Sequence, residues 1–428
     1  MIVLIFVALV LLAHWYLWHR LVRQTTRPGR SRKALTLGLG ALFVVLVVTF
    51  VGTRMGLESW VAWPGYIWLA VMFYLVIGLI VLEVPRAVAA AVLRGSERRE
   101  RAPEPEPVAV LAGTAAPVAE ADEVVAVAPV PELEEAPVPE LEKAPVPSAS
   151  PMSRRLFLGR TTAAIAGVSA LGTVGYGLSS ALGDPVIERV MVTLPKLDAR
   201  LSGLRFAVVS DIHLGPLTGV AHTERIVRMI NGLEADVVAI VGDLVDGTVA
   251  QLGALARPLR SLESRYGAYF VTGNHEYFTA EGPGEWVEEL KELGTRSLRN
   301  ERVEISHRGA VLDLAGVNDV GGAASGDGPD FDKALGGRDT SRSTVLLAHQ
   351  PIQVGQAAEH GVDLQLSGHT HGGQIAPFNL VVGLQQPVVS GLAKVGGTQV
   401  YVTRGAGFWG PPVRVGAPPE ITMLEVHA

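Results

Sequence analysis

Five short apolar runs between residues 204 and 373 each stop at a cluster of side chains able to hold a metal ion: "LRFAVVSDIH", "ADVVAIVGDLVD", "GAYFVTGNHE", "STVLLAHQ" and "VDLQLSGHTHGG". Runs of this length suit strands buried on both faces. Between them, "HTERIVRMINGLE" and "EWVEELKELG" place apolar residues at helical spacing. The alternation predicts an α/β fold, with helices covering buried strands. In such sheets ligands collect at the carboxyl ends of strands, where every one of these clusters falls.

The clusters supply Asp211 and His213, Asp243 and Asp246, Asn274 and His275, His349, and His369 and His371. In "SDIH" the acid and the histidine are two apart, so an extended chain projects both to one side; the alternative is a solvated loop. Five of eleven histidines sit directly after apolar runs, which favours one shared purpose. Carboxylate, imidazole and amide donors suit Mn, Fe or Zn, and the absence of cysteine excludes thiolate sites, disulfides and a cysteine nucleophile. There are too many donors for one ion, so two adjacent divalent metal ions are expected, about 3.5–4 Å apart and joined by a bridging carboxylate. Glycines at 242, 273, 368, 372 and 373 keep side chains out of the way of close backbone approach.

In order and type these five blocks resemble the calcineurin-like metallophosphoesterase family, over about Val190 to Val426. The resemblance implies a four-layer α/β/β/α sandwich. It also implies that one metal takes Asp211, His213, Asp243 and His371, while the other takes Asp243, Asn274, His349 and His369. His275 would face the phosphate as a cation or acid, oriented by Asp246; a turn-capping role for Asp246 is the alternative. A water between the two cations would lose its proton near neutral pH and attack phosphorus, with no phosphorylated protein intermediate. The tail "RGAGFWGPPVRVGAPPEI" is similar to that of a membrane-associated or exported branch, which includes a twin-arginine-exported phosphoesterase and hydrolases of UDP-2,3-diacylglucosamine. Arg404 and Arg414 read as loop supports rather than phosphate ligands. Asn318 and Asp319 either shape the pocket or form an ordinary turn. His222, His307, His360 and His427 match no block and read as surface residues.

The N-terminal part is different in kind. Mean hydropathy is +0.32, high for a soluble chain of 428 residues. Three apolar stretches, roughly 1–18, 34–51 and 61–84, approach the ~20 residues that cross a bilayer. Basic segments follow the first and third, which sets both on the cytoplasmic side and the N-terminus outside. Residues 96–152 are rich in Pro, Glu, Ala and Val, with the near-repeat "VPELEEAP" and "VPELEKAP", and read as a stiff acidic tether. From Arg101 to Pro145 there are ten acids and two bases, a local balance of −8 that leaves the rest of this −6 chain at +2. No basic patch interleaved with aromatics stands out, so nucleic acid is not an expected partner.

Residues 153–184 resemble a twin-arginine export signal, Ser153-Arg154-Arg155-Leu156-Phe157-Leu158 before a Gly/Ala-rich span; an ordinary fourth membrane helix is the alternative. The expected organisation is thus a three-span region at 1–95, the tether at 96–152, the signal or fourth span at 153–184, and the catalytic domain at 185–428. The expected function is a multi-pass, cytoplasmic-membrane phosphoester hydrolase (phosphodiesterase or phosphatase) with its domain extracytoplasmic. Its expected substrate is a phosphoester, lipid or envelope-linked, with the twin-arginine translocase as an export partner. The alternatives are a UDP-2,3-diacylglucosamine-type pyrophosphate hydrolase and a non-catalytic metal-binding sensor or scaffold.

Overall fold

A computed structural model describes residues 2–55, 59–88, 154–279 and 281–428. The tether expected at 96–152 lies outside the described residues. Among the described residues four helices are long and apolar enough to cross a membrane: α1 (Ile2–Leu17, continued by a wider turn to Arg23), α2 (Arg30–Arg54), α3 (Ser59–Val81) and α4 (Arg154–Leu182). Polar groups within the bundle find one another: the Trp68 indole donates to His14 Nε2 at 3.1 Å, and Arg20 pairs with Glu83. Arg160 of α4 donates to the Thr25 carbonyl beyond α1 at 3.1 Å, so α4 joins the bundle at this charged end.

From Val186 onward the chain builds two six-stranded sheets. In chain order the strands are β1 (Val186–Thr193), β2 (Leu204–Val209), β3 (Val237–Val241), β4 (Ala268–Val271), β5 (Thr295–Ser297), β6 (Glu301–His307), β7 (Ala310–Gly316), β8 (Thr344–Leu347), β9 (Leu364–Ser367), β10 (Gly391–Val395), β11 (Thr398–Val402) and β12 (Glu420–His427). The first sheet runs β1-β12-β2-β3-β4-β5 and the second β10-β11-β9-β8-β7-β6. The β2-β3-β4-β5 and β7-β8-β9-β11 stretches are parallel, as buried crossover units require. The helices between them are α5 (Val220–Asn231), α6 (Val249–Ala256), α7 (Gly284–Glu292), α8 (Phe331–Leu335), α9 (Val354–Glu359) and α10 (Asn379–Val382).

The period-2 geometry of a strand divides the apolar runs between two cores. Phe206, Val208, Val237, Ala239 and Val241 point between the sheets, where they meet Leu312, Leu314, Val345, Leu347, Leu364 and Leu366. Their neighbours Ala207, Val209, Val238 and Ile240 point outward and pack on Ile226, Ile230, Trp286 and Leu290 of α5 and α7. On the far side of the second sheet, Ala315, Leu346 and Ala348 receive Phe331, Leu335 and Ala357 of α8 and α9. The result is the expected α/β/β/α layering.

Two of the histidines expected at the surface are buried. His222 stands four residues before Ile226 and eight before Ile230, on the inward face of α5, and Arg225 reaches its Nδ1 at 3.2 Å. Burial, with the neighbouring Arg225 charge, lowers its pKa to about 4, so it sits there neutral. His307 ends β6 beneath Tyr266, whose hydroxyl lies 2.7 Å from its Nδ1. In both cases the apolar face of the element carried the imidazole inward, where its Nδ1 meets one polar partner.

Trp286 is fully buried and its indole donates to the Gly247 carbonyl at 2.7 Å. Trp286→Ala should therefore destabilise the two-sheet domain by about 3–5 kcal/mol, read as a fall in its unfolding midpoint.

Candidate metal centre

The seven candidate ligands lie on turns at the carboxyl ends of β2, β3, β4, β8 and β9, so both sheets contribute to one rim. The turns after β2 and β3 continue the ladder beyond the strands: the amides of Asp211, His213 and Leu214 donate to the carbonyls of Gly242, Asp243 and Leu244 at 3.1, 3.2 and 2.8 Å. Asp211, His213, Asp243, His369 and His371 all have positive φ, between 50° and 69°. These are five of the nine non-glycine residues in that region among those described. Such backbone costs about 1–3 kcal/mol per residue and persists where function demands it. Here it turns each side chain back over the sheet ends.

Close packing leaves no room for a Cβ at two neighbouring glycines. One at Gly273 would lie 2.2 Å from Asp243 Oδ1, and one at Gly368 would lie 2.4 Å from Asp211 Oδ2. These glycines make way for the ligand carboxylates themselves.

The structure gathers the donors into two groups, Asp211–His213–His371 and Asp243–His349–His369, with the ligand atoms of each group all within 4.8 Å of one another. In the first, His213 Nε2 is 3.0 Å from His371 Nε2 and 3.9 Å from Asp211 Oδ1, and His371 Nε2 is 3.2 Å from that same oxygen. Ligands about 2.0–2.2 Å from a tetrahedral cation stand about 3.3 Å apart, so this spacing fits one. In the second, His349 Nδ1 lies 2.8 Å from the Val241 carbonyl and so carries the proton. Its Nε2 is turned to Asp243 Oδ2, 3.2 Å away. Asn274 Oδ1 is buried and has no hydrogen-bond partner. Lone pairs facing lone pairs, together with an orphaned amide oxygen, are arrangements that a pair of cations would satisfy.

Asp246 Oδ1 lies 2.8 Å from His213 Nδ1 and 2.7 Å from His275 Nδ1. Each imidazole thus turns its Nε2 inward, and both Nε2 atoms stand 3.9 Å from Asp243 Oδ2. His275 also shares a cluster with His213 and Asp243. Burial opposes its protonation, but the Asp243 charge and the Asp246 hydrogen bond outweigh burial and raise its pKa to about 9. The Asp243 and Asp246 carboxyls are held well below the usual range by the surrounding histidines, against burial.

Sequence reading missed Glu276. This fully buried carboxylate accepts from the amides of Asp243, Leu244, Val245 and Gly273 at 3.1, 2.8, 3.3 and 2.6 Å, tying the β3 turn to the β4 turn. Its only sequence signal is an acid directly after the histidine of "GNHE". Arg414 is a loop support, as expected: it is fully buried and donates to the carbonyls of Gly407 and His371 at 2.9 and 2.8 Å. Arg404 is committed to Glu188 and Glu420, at 2.6 and 2.8 Å. Asp319 is buried beside the site, taking the Gly321 amide and the Gln350 side chain at 2.6 and 3.0 Å. Asn318 bonds Asp327 instead.

Residues 204–373 match the family described as calcineurin-like phosphoesterase. A zebrafish (Danio rerio) protein named "Transmembrane protein with metallophosphoesterase domain" is 42% identical over 258 residues, covering 58% of this chain and 59% of its own length. A Helicobacter pylori metallophosphoesterase is 42% identical over 262 residues, with 60% of this chain and 68% of its own covered. One from Aquifex aeolicus is 32% identical over 244 residues, with 56% and 91% covered. This chain thus spans little more than half of the zebrafish protein but nearly all of the Aquifex one. With its five strand-end blocks gathered on one rim, the chain belongs to the calcineurin-like metallophosphoesterase family.

Proposed function

We propose that this protein is a membrane-anchored, dinuclear metal-dependent phosphoester hydrolase whose catalytic domain stands on the extracytoplasmic face. One observation carries the reading: two groups of converging donors, buried except for the half-buried His369, meet on one rim, with Asn274 Oδ1 orphaned beside them. Asp211, His213, Asp243 and His371 would hold one ion, and Asp243, Asn274, His349 and His369 the other. Bound there, two divalent cations would supply Lewis acidity, generating the nucleophile from water and offsetting phosphate charge.

The chain's own groups do the rest. Asp211 is fixed by the His369 amide, which donates to both its carboxylate oxygens at 3.1 and 2.9 Å. Asp246 fixes the tautomers of His213 and His275 together. His275 holds a proton on Nε2 at the inner wall, positioned to neutralise a non-bridging oxygen or to protonate the leaving alkoxide. The ligand set is complete, which favours catalysis over a scaffold role.

Four apolar helices and the relative named for its transmembrane character support membrane anchoring. The basic segment between α1 and α2 supports a cytoplasmic placement for that connection. That puts the outer end of α4, and the domain that follows it, outside. The Arg154-Arg155 pair opening α4 supports export by the twin-arginine translocase. Cytoplasmic activity of a reporter fused after Ala428 would overturn this orientation.

Asp243→Asn should remove the shared ligand. Elemental analysis of the purified full chain should fall from about two ions per chain to below one, and turnover of an aryl phosphodiester should drop about 10³-fold or more. His275→Ala should leave the metal content unchanged and lower kcat about 10²–10³-fold. Full turnover by either variant in a metal-replete assay would contradict the proposed roles.

A further inference from the structure

The loop 409–415, which carries Arg414, seats the catalytic domain directly on the membrane helices. The Arg414 amide donates to the Gly177 carbonyl of α4 at 2.9 Å, and a Cβ on Gly177 would lie 2.5 Å from Val413. Val413 packs with Ala70 of α3 and Val174 of α4, with Tyr74, Ile375 and Val415 around them. Gly410 lies against the Tyr66 ring.

The depth of this contact can be measured along two helices independently. On α4, seventeen residues separate Gly177 from Arg160, the last charge before it, about 25 Å of helix. Along α3 and its continuation, thirteen residues separate Ala70 from Glu83, about 20 Å. The hydrocarbon core is about 30 Å thick, so a boundary set at these charges leaves both contacts about 5–10 Å short of the far boundary. Tilt would shorten the projected height and bring them deeper.

The same side of the domain exposes large apolar groups beside the metal loops. Trp409 is 58% exposed, with its ring 6.1 Å from that of His275. Phe278, 70% exposed, stands 4.6 Å from the same ring. Helix α10 follows the "HTHGG" turn, packs its Asn379 on Gly373, and leaves Leu380 and, just beyond it, Leu384 exposed at 71% and 87%. Large unpaired apolar groups beside a polar site mark an interaction surface. Continuity with α3 and α4 assigns its occupant: the bilayer.

Resting on the hydrolase reading, the geometry points to a site whose mouth is set into the outer leaflet and which takes an amphiphilic phosphoester, its alkyl part remaining in the membrane while the phosphate reaches the metal ligands. Leu380, Leu384, Phe278 and Trp409 would form the apolar shore along which such a substrate enters.

The test uses the full chain in phosphatidylcholine vesicles with two probes that share one chromophore, the methyl and hexadecyl esters of p-nitrophenyl phosphate. The hexadecyl ester should be turned over at least about tenfold faster. The double variant Leu380→Glu/Leu384→Glu, changed at exposed positions outside the ligand set, should erase that preference while the methyl ester stays within about twofold. Equal rates on both esters, or equal losses on both in the variant, would overturn the inference. A second readout needs no turnover. The part of the emission lost in Trp409→Phe should be quenched by at least about half when the vesicle lipid is brominated high on its acyl chains; no quenching overturns the inference. If neither ester is hydrolysed the hydrolase reading fails, and the quenching still decides where the mouth lies.

Discussion

The site depends on a conflict between backbone and ligand geometry at Asp243. Its carboxylate can serve two ligand groups only if residue 243 leaves β3 in the left-handed region, at φ 50°. That conformation is strained even for an aspartate, and Asp211 and His213 across the ladder carry the same strain. Glu276 supplies the compensation. Four amides from the turns after β3 and β4 converge on one buried carboxylate, and hydrogen bonds to a charged acceptor contribute about 1.5–3 kcal/mol each. That sum is of the same order as the strain in the three residues it stands beside. Burial and the adjacent Asp243 charge raise the Glu276 carboxyl to about 7, opposed by the Gly273 amide, so the clamp is itself held against its surroundings.

Packing then transmits this local solution to the rest of the domain. The Gly273 amide is one of Glu276's four donors, and the missing side chain of Gly273 is the space Asp243 Oδ1 occupies. The same turn must thus be open for the ligand and closed around the clamp, which only glycine permits. His349 reaches across from the second sheet to bond the last carbonyl of β3 at 2.8 Å, so the register between sheets is felt at the ligands. The inter-sheet core of Val241, Val271, Leu347 and Leu366 lies directly beneath, and its close packing lets turns from two sheets meet within hydrogen-bond distances.

Much of this was legible from the chain. Short apolar runs ending in Asp, Asn and His fixed both the α/β class and the inventory of donors, because burial on two faces and convergence at strand ends leave a plain mark. What stayed illegible depends on contacts between distant segments. Glu276 looks like an ordinary acid until four amides are seen around it. His222 carries helical spacing to Ile226 and Ile230, yet a histidine at such a position reads as polar until Arg225 is found against it. Trp409 stands in the sequence as one more residue of the tail; only its ring beside His275, with Gly410 next to it against Tyr66 of α3, gives its exposure meaning. The pairing of His213 and His275 on one oxygen of Asp246 is likewise invisible in a sequence that separates them by 62 positions.

Arg414 ties the two halves of the molecule together. Its backbone amide is bonded to the carbonyl of Gly177 in α4, while its guanidinium holds the carbonyl of His371. One residue therefore references a metal-ligand turn to a membrane helix, through two hydrogen bonds and no intervening element. The segment 96–152 precedes α4 in the chain, so its length acts between α3 and α4 and does not enter the distance from the metal ligands to the bilayer. That distance is set by α4 itself, whose last residues run straight into β1: Arg225 bonds the Leu182 carbonyl at 3.0 Å and pairs with Asp184 at 3.6 Å, leaving no free linker at the junction. A domain seated in this way would meet a substrate at a fixed depth in the outer leaflet, so what the site reaches would be decided by the seat on α3 and α4 rather than by a flexible reach.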